Sequence, residues 1–223
     1  MNKVTFFSSR FANSFSEVGN CRIGVTGDDF RCCKPGRETR RSLVHRIGRG
    51  ANPWVGPSAN HTMRIDNASI SSAHWVAASN GAGMWNGVSG LTYGAAMMNG
   101  VYGDFNLYAT NFGSWGWPNV PGITFNYDSA WNVESWPDPS HAYSQIFLNN
   151  TWSWNTSGYL NQSSKNADVT TVVGHEAGHS AGLNHPWACH VMCRNEPTSV
   201  MNPTYTKKWA INSDDIGGLN VFY

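Results

Sequence analysis

Apolar residues between positions 60 and 150 fall into short alternating runs, separated by segments rich in Gly, Asn and Ser. Alternation of apolar and polar residues, together with β-branched and aromatic side chains, is typical of half-buried strands. The pattern predicts five strands, at residues 62–65, 91–93, 104–108, 122–127 and 145–149.

Two stretches have the spacing of helices. After the first strand, several large side chains fall near one helical face, and residues 66–69 can cap this helix, although Gly81 and Gly83 weaken its pattern. A second helix opens at residues 168–170 and places Val169, Val172 and Val173 on its buried side.

Composition bounds the class of protein. A chain of 223 residues can bury one good core and has no room for two full domains. A formal net charge of +1 and 13% charged residues give no basic patch for nucleic acid. No run of eighteen apolar residues occurs, so we expect no membrane span.

The second helix carries the pattern His-Glu-x-x-His at residues 175–179. Residues four apart lie one above the other on a helix, so His175 and His179 aim their imidazoles at one point. Such a point can hold a metal ion, and Glu176 could then reach a water on the metal without being a ligand itself.

Gly182 follows one turn later, and glycine ends a helix without Cβ strain. The chain can then bend back so that His185 supplies a third nitrogen, which leaves the fourth tetrahedral position to water, as in catalytic zinc sites. The alternative is a helix with accidental histidines, since the pentapeptide also occurs in helices that bind nothing. The glycine, the third histidine and residues 199–205 together disfavour it.

With these residues the chain resembles the metzincin metallopeptidases, whose signature is His-Glu-x-x-His-x-x-Gly-x-x-His followed by a methionine turn. It is most similar to the matrixins: residues 201–205 read Met-Asn-Pro-Thr-Tyr against their Met-Tyr-Pro-x-Tyr, and residues 212–218 resemble the start of their last helix. Pro186, after the third histidine, is a serralysin-like departure.

The resemblance implies an α+β, zincin-like fold in which a twisted mixed sheet is combined with an active-site helix, a methionine turn and a C-terminal helix. It implies one catalytic Zn²⁺ on the three histidines, with Glu176 as general base, and makes structural calcium an open expectation. Met201 would lie beneath the imidazoles, and Pro203 and Tyr205 would wall the substrate pocket. Strand 122–127 would pair with an extended substrate.

Residues 1–50 are rich in arginine and lack a sustained helix or strand period, so we interpret them as an N-terminal extension or pro-segment before a catalytic domain at 51–223. Cys32 lies in a stretch that resembles the matrixin cysteine switch, in which a thiolate occupies the open zinc position. Pairing of Cys21 with Cys32 or Cys33 is the alternative.

Cys189 and Cys193 bracket a short loop and could close it as a disulfide, because the peptidase motif suggests secretion. Two free thiols are the alternative. The tryptophans between 111 and 143 admit two interpretations, a carbohydrate-stacking surface or, as is more common, packing.

The sequence therefore predicts a secreted, monomeric zinc endopeptidase that acts on protein or peptide substrates. Two alternatives stay open. One is a non-catalytic module that binds glycans or proteins on the same fold, and the other is a zinc amidase acting on cell-wall peptides.

Overall fold

The computed structural model describes residues 60–98, 103–134, 141–185, 197–202, 204 and 206–220. Several predictions fall outside these residues and stay predictions: the extension at 1–50 with Cys32, and the positions Pro186, Cys189, Cys193, Pro203 and Tyr205.

A five-stranded mixed sheet forms one layer of the fold, and its strand order is β2-β1-β3-β5-β4. The first four strands in that order are parallel neighbours, whereas β4 runs antiparallel to β5 and forms one edge. The strands are β1 (Asn60–Asp66), β2 (Thr92–Met98), β3 (Phe105–Thr110), β4 (Gly122–Tyr127) and β5 (Tyr143–Asn149). All five predicted strands are present, and the predicted mixed α+β class is confirmed.

A second sheet was not predicted. It pairs β6 (Ser153–Asn155) with β7 (Asn166–Asp168) in parallel. Each of these strands has three residues, too few to show alternation, and the segment around them is rich in turn residues. A short 3₁₀ helix, Phe112–Trp115, was missed for the same reason.

Three helices are described: α1 (Ser72–Gly83), α2 (Val169–Ser180) and α3 (Ser213–Leu219). The prediction that residues 66–69 cap α1 is wrong, because the N-cap is Ser71 and it makes no side-chain capping bond. The Asp66 carboxylate instead accepts bonds from Ala68 N and Ser69 Oγ, which closes the turn between β1 and α1.

Helix α1 continues through the glycines that weakened its pattern. A Cβ on Gly81 would lie 2.7 Å from Thr170 O, and one on Gly174 would lie 2.4 Å from Met84 Cε. Real Cβ atoms do not come this close, so the glycines allow α1 and α2 to pack at short range. Gly81 therefore serves helix packing and does not break α1, which runs to Gly83.

The core lies where the sheet meets α1 and α2. The largest fully buried side chains include Trp85, Phe105, Met63, Ile65 and Leu107. Each such side chain stabilises the fold by about 1.5–3 kcal/mol through its burial. Trp85 also donates its indole N–H to Gly174 O at 2.8 Å, which ties the end of α1 to α2. None of the described helices is both long and apolar enough to cross a bilayer.

Candidate active site

Helix α2 starts where the sequence predicts. Its N-cap is Asp168, whose Oδ2 accepts from Thr171 N and Thr171 Oγ1, each at 2.8 Å. The same oxygen accepts the indole N–H of Trp209 at 2.8 Å. The N-terminus of α2 is therefore fixed both locally and by the segment that follows the methionine turn.

The end of α2 reverses the chain through Gly182, as predicted. This glycine has φ +90°, and it donates to His179 O at 3.0 Å, while Leu183 N donates to Gly178 O at 3.0 Å. This pair of bonds is the Schellman motif, which favours glycine because of the left-handed backbone. The reversal brings the following segment, with His185, back towards the helix.

Three imidazole nitrogens converge at this point. Nε2 of His185 lies 3.1 Å from Nε2 of His175 and 3.2 Å from Nε2 of His179. Among the described residues these three histidines form the group that could hold a metal ion, and their ligand atoms all lie within 4.8 Å of one another. The sequence prediction that the third histidine joins the first two is thus met by the geometry.

Two of the rings are oriented through their other nitrogen. Nδ1 of His175 lies 2.7 Å from Val200 O, and Nδ1 of His179 lies 2.8 Å from Leu183 O. A carbonyl oxygen only accepts, so each Nδ1 carries the proton. Each Nε2 then presents a lone pair to the common point, which is the arrangement that metal-binding histidines need.

Burial favours the neutral, metal-binding form of all three rings. Desolvation is the main cause that lowers the pKa of His175 and His179, and it lowers the pKa of His185 to about 3. Charge repulsion among the rings adds to the effect on His175 and His185.

The donor set suits zinc. A tetrahedral ion with Zn–N bonds of about 2.0–2.1 Å needs nitrogens about 3.3 Å apart, close to the two separations found here. Three neutral imidazoles are also a ligand set that zinc commonly takes, with a fourth position open for water.

Glu176 lies beside the histidines on α2 and is 5% exposed. Burial raises the pKa of its carboxyl group to about 7, and the hydroxyl of Thr124, which donates to Oε2 at 2.7 Å, opposes that rise. A carboxyl group that titrates near neutral pH suits proton transfer. Glu176 does not belong to the group of ligand atoms among the described residues, consistent with a role other than ligation.

Strand β4 approaches Glu176 closely. A Cβ on Gly122 would lie 2.6 Å from Val172 Cγ1 and 3.1 Å from both Cγ and Oε1 of Glu176. A side chain at this position would displace the carboxylate or the strand. Gly122 therefore lets the sheet edge lie directly against the Glu176 side of α2.

Met201 is 2% exposed and packs against α2 at Gly178. A Cβ on Gly178 would lie 2.2 Å from Met201 Sδ and 2.6 Å from Trp85 Cζ2. The methionine thus fits a space that exists because position 178 has no side chain. Its place beneath the imidazoles stays a prediction from the resemblance.

Asp215, which the sequence analysis did not single out, holds the methionine turn. Its carboxylate accepts from Ser199 Oγ at 2.6 Å and from Val200 N at 2.9 Å. It also forms a capping box with Asn212 at the start of α3. The Asn-x-x-Asp spacing is a visible capping signal, but the sequence gives no sign that the same carboxylate reaches the methionine turn.

Lys208 was also missed. It is 6% exposed, and its Nζ donates to Asn202 O in the methionine turn. Burial lowers its pKa to about 8, against the opposing effect of Asp215. A buried lysine in a Lys-Lys-Trp segment has no sequence signal, because this pattern is typical of exposed residues.

The tryptophans between residues 111 and 143 differ in their surroundings. Trp115 packs in the manner expected of a structural residue, with its ring at 5.0 Å from Phe112 and edge-on to Phe147 at 5.5 Å. Trp131 stacks on Tyr143 at 4.1 Å but is 44% exposed. Packing is therefore confirmed for Trp115, while Trp136 lies outside the described residues.

The family model described as Matrixin matches residues 116–223, just under half of the chain. The matched stretch contains β4, β5, the histidine helix α2, the methionine turn and α3. No curated protein matches the chain. The match, the mixed sheet and the three converging imidazoles support a matrixin-like, metzincin type of catalytic domain in this part of the chain. The Matrixin family supports a zinc metallopeptidase in general.

Proposed function

We propose that the chain is a secreted zinc endopeptidase that hydrolyses peptide bonds in protein or peptide substrates. The observation that carries the proposal is the convergence of three Nε2 atoms beside a buried carboxyl group. The extracellular location follows from the family resemblance alone.

Substrate would bind along β4. This strand is at the edge of the described sheet, and its Thr124 contacts Glu176. An extended peptide that adds to this edge would pass the carboxylate, and its binding would use backbone hydrogen bonds, which tolerate many sequences. Cleavage inside a chain fits such a site, because neither terminus of the substrate needs to be recognised.

His175, His179 and His185 would hold the ion, with the first and second rings fixed by Val200 and Leu183. Zinc held in this way lowers the pKa of water and polarises a carbonyl group. Glu176 would take a proton from the attacking water and pass it to the leaving amine, a form of help worth about 10²–10⁴ in rate. Pro203 and Tyr205 are proposed to wall the pocket beyond the cut bond.

The test is cleavage of casein by zinc-loaded protein, with and without a chelator, beside the variant Glu176→Gln. The glutamine keeps the shape of the side chain and removes the base. We expect cleavage that the chelator abolishes and zinc restores, and a loss of at least about 100-fold in the variant. Peptidoglycan is the second substrate: turnover of it alone would favour an amidase, and no turnover of either by fully loaded protein would favour a binding module.

A further inference from the structure

The carboxylate of Glu176 is held from the sheet, by a residue 52 positions earlier in the chain. Oγ1 of Thr124 lies 2.7 Å from Glu176 Oε2 and 2.9 Å from the main-chain carbonyl oxygen of the same glutamate. Among the described residues Thr124 provides the side-chain hydrogen bond to this carboxylate.

A hydroxyl group has one proton to donate and can also accept. Thr124 can therefore donate to the ionised carboxylate, or it can donate to the main-chain carbonyl and accept a hydrogen bond from the O–H of the carboxyl group in its acid form. The pair stays joined in both forms. A valine or leucine at this position could do neither.

The Thr124 hydroxyl sets the direction of a carboxylate that otherwise faces the backbone of β4. Gly122 has no side chain, so Cγ and Oε1 of Glu176 face main-chain atoms on that side. A glutamate side chain has several staggered conformations, and a hydrogen bond to a fixed strand selects one of them. Thr124 itself is fixed by the antiparallel pairing of β4 with β5, opposite Ile146.

We propose that Thr124 is a positioning residue that holds the Glu176 carboxylate in the orientation needed for proton transfer. The kinetic part of this inference rests on the proposed peptidase function. The structural part, that the hydroxyl fixes the carboxylate, does not depend on it.

The competing explanation is that Thr124 only packs the strand against α2, or that its bond to the main-chain carbonyl matters only for stability. Two substitutions separate these roles. Thr124→Val keeps the β-branched shape and removes the hydroxyl, whereas Thr124→Ser keeps the hydroxyl and removes the methyl group. Thr92→Val, at an exposed position in the opposite edge strand β2, is the matched control.

Five quantities should be measured on each zinc-loaded protein. They are kcat and KM on a peptide substrate, the zinc affinity by competition with a chromophoric chelator, the thermal midpoint, and the Glu176 side-chain conformation in a crystal structure. For Thr124→Val we expect kcat to fall by about 10- to 100-fold, the loss of one charge-assisted hydrogen bond. KM and zinc affinity should stay close to wild type. Thr124→Ser should keep most of kcat, and Thr92→Val should match wild type.

In the crystal structures we expect the Glu176 carboxylate to leave its wild-type position in Thr124→Val and to keep it in Thr124→Ser. Equal loss of kcat in both Thr124 variants, or an unmoved carboxylate in Thr124→Val, would overturn the proposal and leave the peptidase function standing. A zinc-loaded wild type that cleaves no peptide would overturn the peptidase function, while the carboxylate positions would still decide the role of Thr124.

Discussion

His175 donates through Nδ1 to the carbonyl oxygen of Val200 at 2.7 Å, which joins the histidine helix to the methionine turn across 25 residues. The orientation of one candidate ligand therefore depends on the conformation of that turn. Asp215 holds the methionine turn by accepting a hydrogen bond from Val200 N. Changes in the methionine turn should therefore alter the orientation of His175 and the affinity for zinc.

Replacing Asp215 by alanine should weaken both folding and zinc binding. The substitution removes bonds to Ser199 Oγ and Val200 N and leaves these buried donors unsatisfied, which costs about 3 kcal/mol or more. Because Val200 O orients His175, zinc affinity should fall by about 10- to 100-fold. Urea unfolding of the metal-free protein and a zinc competition titration measure the two effects. Asp66→Asn, at the end of β1, is the control and should leave zinc affinity unchanged.

Gly178→Ala should destabilise the protein although alanine is the better helix former. The new Cβ would meet Met201 Sδ and Trp85 Cζ2 well inside contact distance. Overpacking of this kind costs about 1–3 kcal/mol. Gly217→Ala is the matched control, because it also lies in a helix and its Cβ would meet nothing within 4 Å. Gly217→Ala should increase the free energy of unfolding by up to about 1 kcal/mol. A thermal melt of each variant tests the predicted loss of stability in Gly178→Ala and the predicted gain in Gly217→Ala.

Glu176→Gln should make the metal-free protein more stable above neutral pH. Burial raises the folded pKa of Glu176 from 4.5 to about 7, so the folded state holds a proton that the unfolded state releases. Between pH 4.5 and about 7 the folded state binds more protons than the unfolded state. The stability of the wild type therefore falls as pH rises through this range, by up to about 3 kcal/mol. The glutamine has no proton to lose.

The test is the free energy of unfolding of wild type and Glu176→Gln, without metal, at pH 5 and pH 8. The buried histidines act in the opposite direction, since their lowered pKa values cost stability as pH falls below 6.5, but they are common to both proteins. The free energy of unfolding of Glu176→Gln, relative to that of wild type, should therefore increase as pH rises from 5 to 8. A difference that is constant with pH would contradict the prediction.

Removing one ligand should abolish stabilisation by zinc without harming the metal-free fold. His185 lies after the Schellman turn and is half-buried, so His185→Gln should leave the metal-free midpoint near its wild-type value. Wild type should gain stability with the logarithm of zinc concentration, by about 2.7 kcal/mol at 100 times the Kd. The variant should show no such gain in the same range, and His74→Gln on α1 should behave as wild type.

The sequence predicted the parts of the site that are local in the chain. The spacing of His175 and His179, the turn at Gly182 and the cap at Asp168 all follow from the geometry of a single helix and its ends. Strand β4 was predicted with its final bounds because alternation and aromatic content agree there.

The parts that were missed or wrong depend on distant partners. Thr124, Lys208 and Asp215 act through contacts with residues in other parts of the chain, and no local pattern reveals those contacts. The glycines of α1 weakened the helix prediction, whereas Gly81 is there because α2 approaches closely at this position. Residues 66–69 form a turn and not the predicted cap, because the Asp66 carboxylate accepts hydrogen bonds from Ala68 N and Ser69 Oγ.

The imidazoles of His175 and His179 differ in how far along the chain the carbonyl group that orients each of them lies. His179 is oriented by Leu183, within the same helix end, whereas His175 relies on a carbonyl group 25 residues away. A polypeptide trimmed before residue 199 would retain every nitrogen of the cluster and still lose the tether of one ring. Intact ligands in a fragment would then be poor proof of an intact centre.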